Sequence, residues 1–426
     1  MTTTMILALG VLIFMIVLIM TDALPFGAPP LLADVLILVL ALYPEDADPF
    51  AYSFAGFTDK NVWLIAFFMV VLAAFQKTST TGKIQDILYK LVNKGGFKSY
   101  VAIILVIMFF SSFVTGTGWY MLIISLLATI PYNEKLPTSK ILMPGSFASV
   151  HALLPLNVAF YYGLTGTLLS SFNYDMSKVS TVPFMALTAI ASLGYFLWSL
   201  VGYKLLPDHP IADQKTEESA AAVEKEPLPK GQEYLTIACI LISIVAMMFL
   251  DKLGTIAYAV PALCAFVLLF GKVLDWKTFL GTLFSPIVLM MAGVLPVANA
   301  LADSGFTGMI GGMVAGVAGG MSPFVLVLVF CTLIAVLHVI TGASFGSLFV
   351  FAPVLISTCI SLGIDPVGPT AAAVYSAWVG SFLPIDGQPA VTMGMGKYSM
   401  AEFWKYTIPM DIIGLVCLAL AAVLCF

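Results

Sequence analysis

From Met5 to Phe426 the sequence returns again and again to apolar runs long enough to cross a lipid bilayer, and nothing else in it restricts the fold as strongly. A hydrocarbon core about 30 Å thick is spanned by roughly 20 apolar residues in helical form. Within it every backbone N–H and C=O must find a partner inside the chain, so such runs are helices. They lie at 5–20, 29–43, 61–76, 138–172, 181–203, 235–250, 254–271, 282–300, 367–396 and 404–425, with two more at 99–130 and 323–357. The chain reads as an all-α polytopic membrane protein. Composition agrees, since 61% of the residues are hydrophobic and 10% charged, against about 25% charged in a soluble domain. No Lys or Arg precedes the first run and no small-x-small cleavage site follows it, so it reads as a span and not a signal peptide.

The runs at 99–130 and 323–357 are each broken by Thr-Gly, in "SSFVTGTGWY" and "LHVITGASFG". Each break leaves two arms of about 13 to 18 residues, marginal for crossing alone and suited to a re-entrant hairpin whose tip is buried in protein or lines a wet cavity. About forty residues after each Thr-Gly comes an apolar run interrupted by proline, at "LPLN" (Leu154 to Asn157) and "LPID" (Leu383 to Asp386). The same devices thus occur twice in the same order, in 1–204 and in 234–426. The connecting stretch 205–233, rich in charge, Ala and Pro, reads as a flexible linker. With hairpins adding no net crossing, each half crosses five times, and an odd number inverts the second half against the first. Paired irregular segments in inverted repeats mark the midplane site of secondary transporters.

All eighteen basic residues are lysines. If the first hairpin enters and leaves on the cytoplasmic side, only Lys60, Lys178 and Lys252 fall outside, the orientation that the positive-inside rule favours. The linker is then cytoplasmic and both termini external. The stretch Lys77 to Lys98 places Ile84, Ile87, Leu88, Leu91 and Val92 on one helical face, as an interfacial helix does.

Helix arms ending within the membrane expose N–H groups at one tip and C=O groups at the other. The N-terminal ends favour an anion, and unwound carbonyls with hydroxyls favour a small cation. Glycine at the tip lets backbone approach the ligand closely. The six cysteines, Cys239, Cys264, Cys331, Cys359, Cys417 and Cys425, lie in apolar runs without metal-binding spacing and read as buried hydrophobes. No nucleophile–base pair, metal cluster or nucleotide loop suggests an enzyme, and no cofactor is implied beyond Na+ or H+ as coupling ion.

The order of elements, the phrase "GFTDKNVWLIAFFMVVLAAFQKT" (Gly56 to Thr78), the paired hairpins and the paired proline-broken helices resemble the divalent anion:sodium symporter family of the ion transporter superfamily. The resemblance covers nearly the whole chain. It implies a homodimer in the cell membrane, an elevator motion of the hairpin-bearing domain, and binding of Na+ and a substrate carboxylate by Ser-Asn-Thr tips. Position by position, the first tip here is Thr115, Gly116 and Thr117, with Ser111 four residues earlier. The second is Thr341, Gly342 and Ala343, followed by Ser344. Glycine replaces asparagine at both tips, and Leu337 offers no oxygen where Ser111 does in the first half.

Asp386 is the candidate for what stands in place of the missing oxygens, since a carboxylate at bilayer depth is costly and functional by default. It would bind Na+, with Ser111 and Thr115, or carry a proton. Asn157 is its counterpart in the first half, and Gln388 adds an amide beside the same break. His151 and His338 flank a break and a tip, and either imidazole titrates near physiological pH. Asp34 and Asp411 read as span-end residues outside the site, and Trp119, Tyr120, Tyr161, Tyr162 and Trp378 as weaker candidates to line a pathway. The expected function is secondary transport of a small organic anion, a carboxylate smaller or less charged than a tri- or dicarboxylate, coupled to Na+ or H+. The alternatives are a Na+/H+ antiporter working through Asp386, and a channel or membrane scaffold.

Overall fold

A computed structural model of the chain describes residues 1–426 except 22–23, 26, 76, 114–116, 129–133, 157, 177–178, 210, 212–227, 342–343 and 385–386, and except the side chains of residues 20, 80–85, 117–118, 125, 248, 250–251 and 341. The described residues form α-helices, with 3-10 turns at Ala55–Thr58, Tyr203–Leu205 and near Met176. The first half holds α1 (Thr3–Met20), α2 (Ala28–Val39), the short α3 (Pro49–Ser53), α4 (Lys60–Phe75), α5 (Thr80–Lys94), α6 (Gly96–Ser111), α7 (Thr117–Ala128), α8 (Thr138–Ala148), α9 (Ala159–Ser170) and α10 (Val182–Gly202). The second holds α11 (Lys230–Met248), the short α12 (Leu250–Leu253), α13 (Thr255–Phe270), α14 (Trp276–Leu283), α15 (Pro286–Asp303), α16 (Phe306–Ala318), α17 (Pro323–Thr341), α18 (Ser344–Ser361), α19 (Val367–Ser376), α20 (Gly387–Gly396) and α21 (Met400–Leu424). Among the described residues six helical stretches are long and apolar enough to cross a membrane: Val182–Leu205, Lys230–Met247, Trp276–Asp303, Pro323–Ile340, Ser344–Ser361 and Met400–Leu424.

Both Thr-Gly positions fall between two helices packed on a common neighbour, α6 and α7 on α8, α17 and α18 on α19. The second pair outgrows its expected limits, because α18 continues one turn past 357 to Ser361. Both proline-interrupted runs are broken helices, α8 with α9 and α19 with α20. The amphipathic helix foreseen after Lys77 is α5, with Leu88 and Val92 buried and Ile87 exposed. Its place in the second half is taken by α16, which the span reading left out. Four glycines and a threonine in "FTGMIGGMVAGVA" weaken helical propensity, and the helix is held by tertiary contact: Gly311 lies so close to α18 that a Cβ there would stand 2.4 Å from Ser357 Oγ.

Glycine also permits the closest helix crossings elsewhere. A Cβ on Gly56 would fall 1.8 Å from the carbonyl oxygen of Ala292 on α15, and one on Gly293 would fall 2.6 Å from Pro30 on α2. Close approach of small residues supplies the dispersion contact that replaces the hydrophobic effect between helices in lipid.

The polar ends sort into two groups. Lys60 pairs with Asp175 at 3.4 Å, next to the Tyr174–Asp365 hydrogen bond. At the opposite end of α4, Lys77 pairs with Asp275 at 3.6 Å, and at the start of α8 Lys140 pairs with Asp208 at 3.5 Å.

Candidate substrate and ion site

The two broken helices run antiparallel beside each other, so their breaks meet. Tyr398, just past α20, donates its hydroxyl to Ser139 O near the start of α8 (2.6 Å) and accepts from Met143 N (3.2 Å). At the other end of the same contact, the first turn of α20 reaches the last turn of α8: Gln388 Nε2 lies 2.6 Å from Ser146 O, 3.1 Å from Ser146 Oγ and 3.4 Å from Ser149 Oγ. Thr392, one turn on, donates to Gln388 O (2.7 Å) and sits 2.6 Å from Ser146 Oγ. On the other limb, the start of α9 meets the end of α19. Tyr161 stacks on Tyr375 with ring centroids 3.5 Å apart, and Trp378 packs edge-on against Phe160 and Phe345.

Breaking a helix inside a membrane strands backbone groups, and each break has a device that satisfies some of them. At the first, Leu153 N donates to Met108 O (2.8 Å) and Leu154 N to Ser112 Oγ (2.8 Å), both on or just after α6. At the second, the buried Asp411 on α21 accepts from Ser381 N at 2.6 Å, and Trp404 Nε1 donates to Phe382 O at 2.5 Å. Gly380 holds φ +128, and a Cβ there would stand 2.5 Å from Val339 on α17, so this break is drawn tightly onto the second hairpin.

Of the residues singled out from sequence, Thr115, Gly116, Asn157, Gly342, Ala343 and Asp386 lie outside the described residues, as do the side chains of Thr117 and Thr341. The others gather at the breaks. Ser111 is buried; its hydroxyl donates to Ile107 O (2.7 Å), lies 3.3 Å from Ala148 O and accepts from Trp119 Nε1 (2.9 Å), which ties α6, α7 and α8 together next to the first tip. His151 sets Nδ1 2.8 Å from Phe147 O and stacks on Tyr195 at 4.1 Å, whose hydroxyl bonds Pro144 O. The bond to a carbonyl requires a proton on Nδ1. His338 Nδ1 lies 3.1 Å from Ser344 Oγ, across the second Thr-Gly.

Two pathway candidates are anchors instead. Trp119 is buried with its N–H engaged by Ser111, and Tyr162, fully buried, donates to Met176 O at 2.7 Å. Neither aspartate read as a span-end residue ends its helix. Asp411 sits mid-helix on α21 and caps the second break, while Asp34 is 0% exposed on α2, with no hydrogen-bond partner for either oxygen among the described residues. Sequence reasoning also passed over Ser146, Ser149 and Thr392. Their signal was available, since hydroxyls three apart on α8 and an amide and hydroxyl four apart on α20 share a helical face.

The arrangement of two hairpins against two antiparallel broken helices is matched by known proteins. The profile of the citrate transporter (CitMHS) family aligns with residues 11–345. The chain belongs to the citrate transporter family. A curated relative, the uncharacterized transporter YfbS of Escherichia coli K12, is 25% identical over 177 residues, which is 41% of this chain and 28% of that protein's length. Among solved structures, the Alcanivorax borkumensis YdaH transporter aligns over 94% of this chain and 98% of its own with a TM-score of 0.64 and 15% identity. Neisseria gonorrhoeae MtrF, described as illuminating a class of antimetabolite efflux pumps, aligns over 94% of both chains with a TM-score of 0.61 and 14% identity. At these identities the likeness is one of fold. This citrate transporter family member has, among its described residues, six helical stretches long and apolar enough to cross a membrane.

Proposed function

We propose that the protein is a secondary active transporter of a small carboxylate, coupled to Na+ or H+, in the cell membrane. The observation that carries this reading is the meeting of the two helix breaks, bridged by Gln388 to Ser146 and flanked by both hairpins. Such a junction offers helix N-termini to an anion and carbonyls and hydroxyls to a cation without formal charge. The family's citrate-transporter description supports a carboxylate substrate. The chain has no arginine to clamp a multiply charged anion, which favours one smaller or less charged than a tricarboxylate. Coupling is assigned to Asp386, Ser111 and the two tips, with His151 and His338 alongside. The sequence resemblance to divalent anion:sodium symporters supports elevator-type alternating access in a homodimer.

Uptake into proteoliposomes of labelled mono-, di- and tricarboxylates, with Na+ and pH gradients imposed separately, tests the reading. One anion accumulating with one gradient is the expected result. Proton movement driven by Na+ without any anion uptake would replace it with the antiporter. In the same assay Asp386→Asn should lower gradient-driven uptake at least tenfold while the protein elutes as wild type on size exclusion. Full pH- and Na+-dependent uptake by that variant removes Asp386 from coupling.

A further inference from the structure

Asp34 holds a position on α2 that the rest of its face gives to apolar side chains. The helix turns Pro30, Ala33, Asp34 and Ile37 inward, a set spaced i, i+3, i+4 and i+7 along one face. Contact with α15 fixes the placement of that face. A Cβ on Gly27 would stand 2.8 Å from Pro286 O, and one on Gly293 would stand 2.6 Å from Pro30. Asp34 follows Pro30 by one turn on the same face. It is 0% exposed, and neither carboxylate oxygen has a hydrogen-bond partner among the described residues.

The elements packed most closely on α2 are α15, α1 and α3. Helix α1 has no titratable side chain, α3 has only Tyr52, and α15 has only Asp303 at its last residue, where Tyr52 donates to Asp303 at 2.7 Å. None of these helices, α2 included, carries Lys, Arg or His. Complete burial also keeps the carboxyl from bulk water, from lipid and from a second copy of the chain. An ionised carboxylate there has neither cation nor donor, which costs far more than burying the neutral acid. A metal ion asks for several oxygen ligands, and Pro30, Ala33 and Ile37 beside Asp34 bring no side-chain oxygen. The partner small enough for such a position is a proton.

We propose that Asp34 is a proton-binding site at the α2–α15 contact, distinct from the helix breaks, which holds the neutral acid while the two helices are packed and gives its proton to water when they separate. Proton release and opening of this contact are then one event. In the unfolded chain an aspartate is ionised above about pH 4, so over that range the folded protein binds one proton more. Stability contributed by this site therefore falls as pH rises. The proposal does not depend on which ion drives transport, and its test reads protonation and stability, not uptake.

The test compares the purified full-length protein with Asp34→Asn, which puts a neutral side chain of the same size in place and lets every other carboxyl cancel. In the infrared difference spectrum at neutral pH, the wild type should show the C=O stretch of one protonated carboxyl that the variant lacks. From mildly acidic to mildly alkaline pH, the wild-type unfolding equilibrium should move toward the unfolded state about tenfold further per pH unit than that of the variant, the weight of one proton. If Asp34→Asn does not fold, Asp34→Leu, neutral and apolar, takes its place in both measurements. Identical carboxyl bands, or equal pH dependence in the two proteins, overturns the site. Failure of both neutral replacements to fold overturns it as well, because a neutral acid at this position can be spared.

Discussion

At the residue scale the most consequential group is one that sequence placed outside the site. Asp411 is 8% exposed at the middle of α21, and its carboxylate holds the N–H of Ser381 at 2.6 Å in the second break. Truncation to alanine leaves that N–H buried and unpaired, at a cost of about 1–3 kcal/mol. Asp411→Ala should therefore lower Tm in detergent and reduce uptake, while Asp411→Asn, which keeps an acceptor oxygen, should recover most of both. Wild-type unfolding by Asp411→Ala would show that the break is held otherwise. The place of Gln388 beside the break is legible because Pro384 marks the interruption four residues before it. That of Asp411 is not, because the apolar run containing it starts at 404, whereas α21 starts at Met400 with a Ser399–Glu402 capping box. Four more residues moved the carboxylate from the flank to the middle of the helix.

At the scale of elements, what could be read from sequence tracks how strongly local chemistry agrees with tertiary structure. The broken runs 138–172 and 367–396 reappear as α8 with α9 and α19 with α20, since proline and a lost hydrogen-bond ladder are local events. The helix α16 is hidden, because its four glycines weaken the helical signal and the packing of one of them, Gly311, against α18 is a tertiary contact. That division predicts opposite outcomes for neighbouring substitutions. Gly311→Ala drives a Cβ to 2.4 Å from Ser357 Oγ, 2.6 Å from its Cβ and 2.9 Å from its backbone carbonyl carbon, whereas Gly312 and Gly316 have nothing within 4 Å. Overpacking of this kind costs roughly 1–3 kcal/mol, while alanine at an open helical position gains up to about 1 kcal/mol in propensity. Gly311→Ala should thus lower Tm and Gly312→Ala leave it unchanged or raise it. Equal behaviour of the two would mean that α16 does not dock on α18 through this face.

At the scale of the whole molecule, the antiparallel broken helices are accompanied by a second antiparallel pair, the last helix of each half. Gly194 of α10 would meet Cys417 of α21 with a Cβ at 2.5 Å, and Gly202 would meet Tyr406 at 2.8 Å. Corresponding elements facing each other in opposite directions are the arrangement that the proposed alternating access calls for, and charge predicts which side is which. At one end of α4 Lys60 pairs with Asp175, and at the other Lys77 lies near Asp275, with Lys140 near Asp208 at the start of α8. Lysine-rich ends stay in the cytoplasm, so the acidic loop at Glu45, Asp46 and Asp48 should face outward and the linker inward. The six native cysteines are free, four of them buried, and their replacement leaves a background for single reporters. A membrane-impermeant maleimide applied to intact cells should label Asp46→Cys and spare Ser219→Cys, with both labelled after permeabilisation. The reverse pattern would invert the molecule in the membrane and exchange the entry and release faces of the transport cycle, while leaving the junction of the two breaks in place.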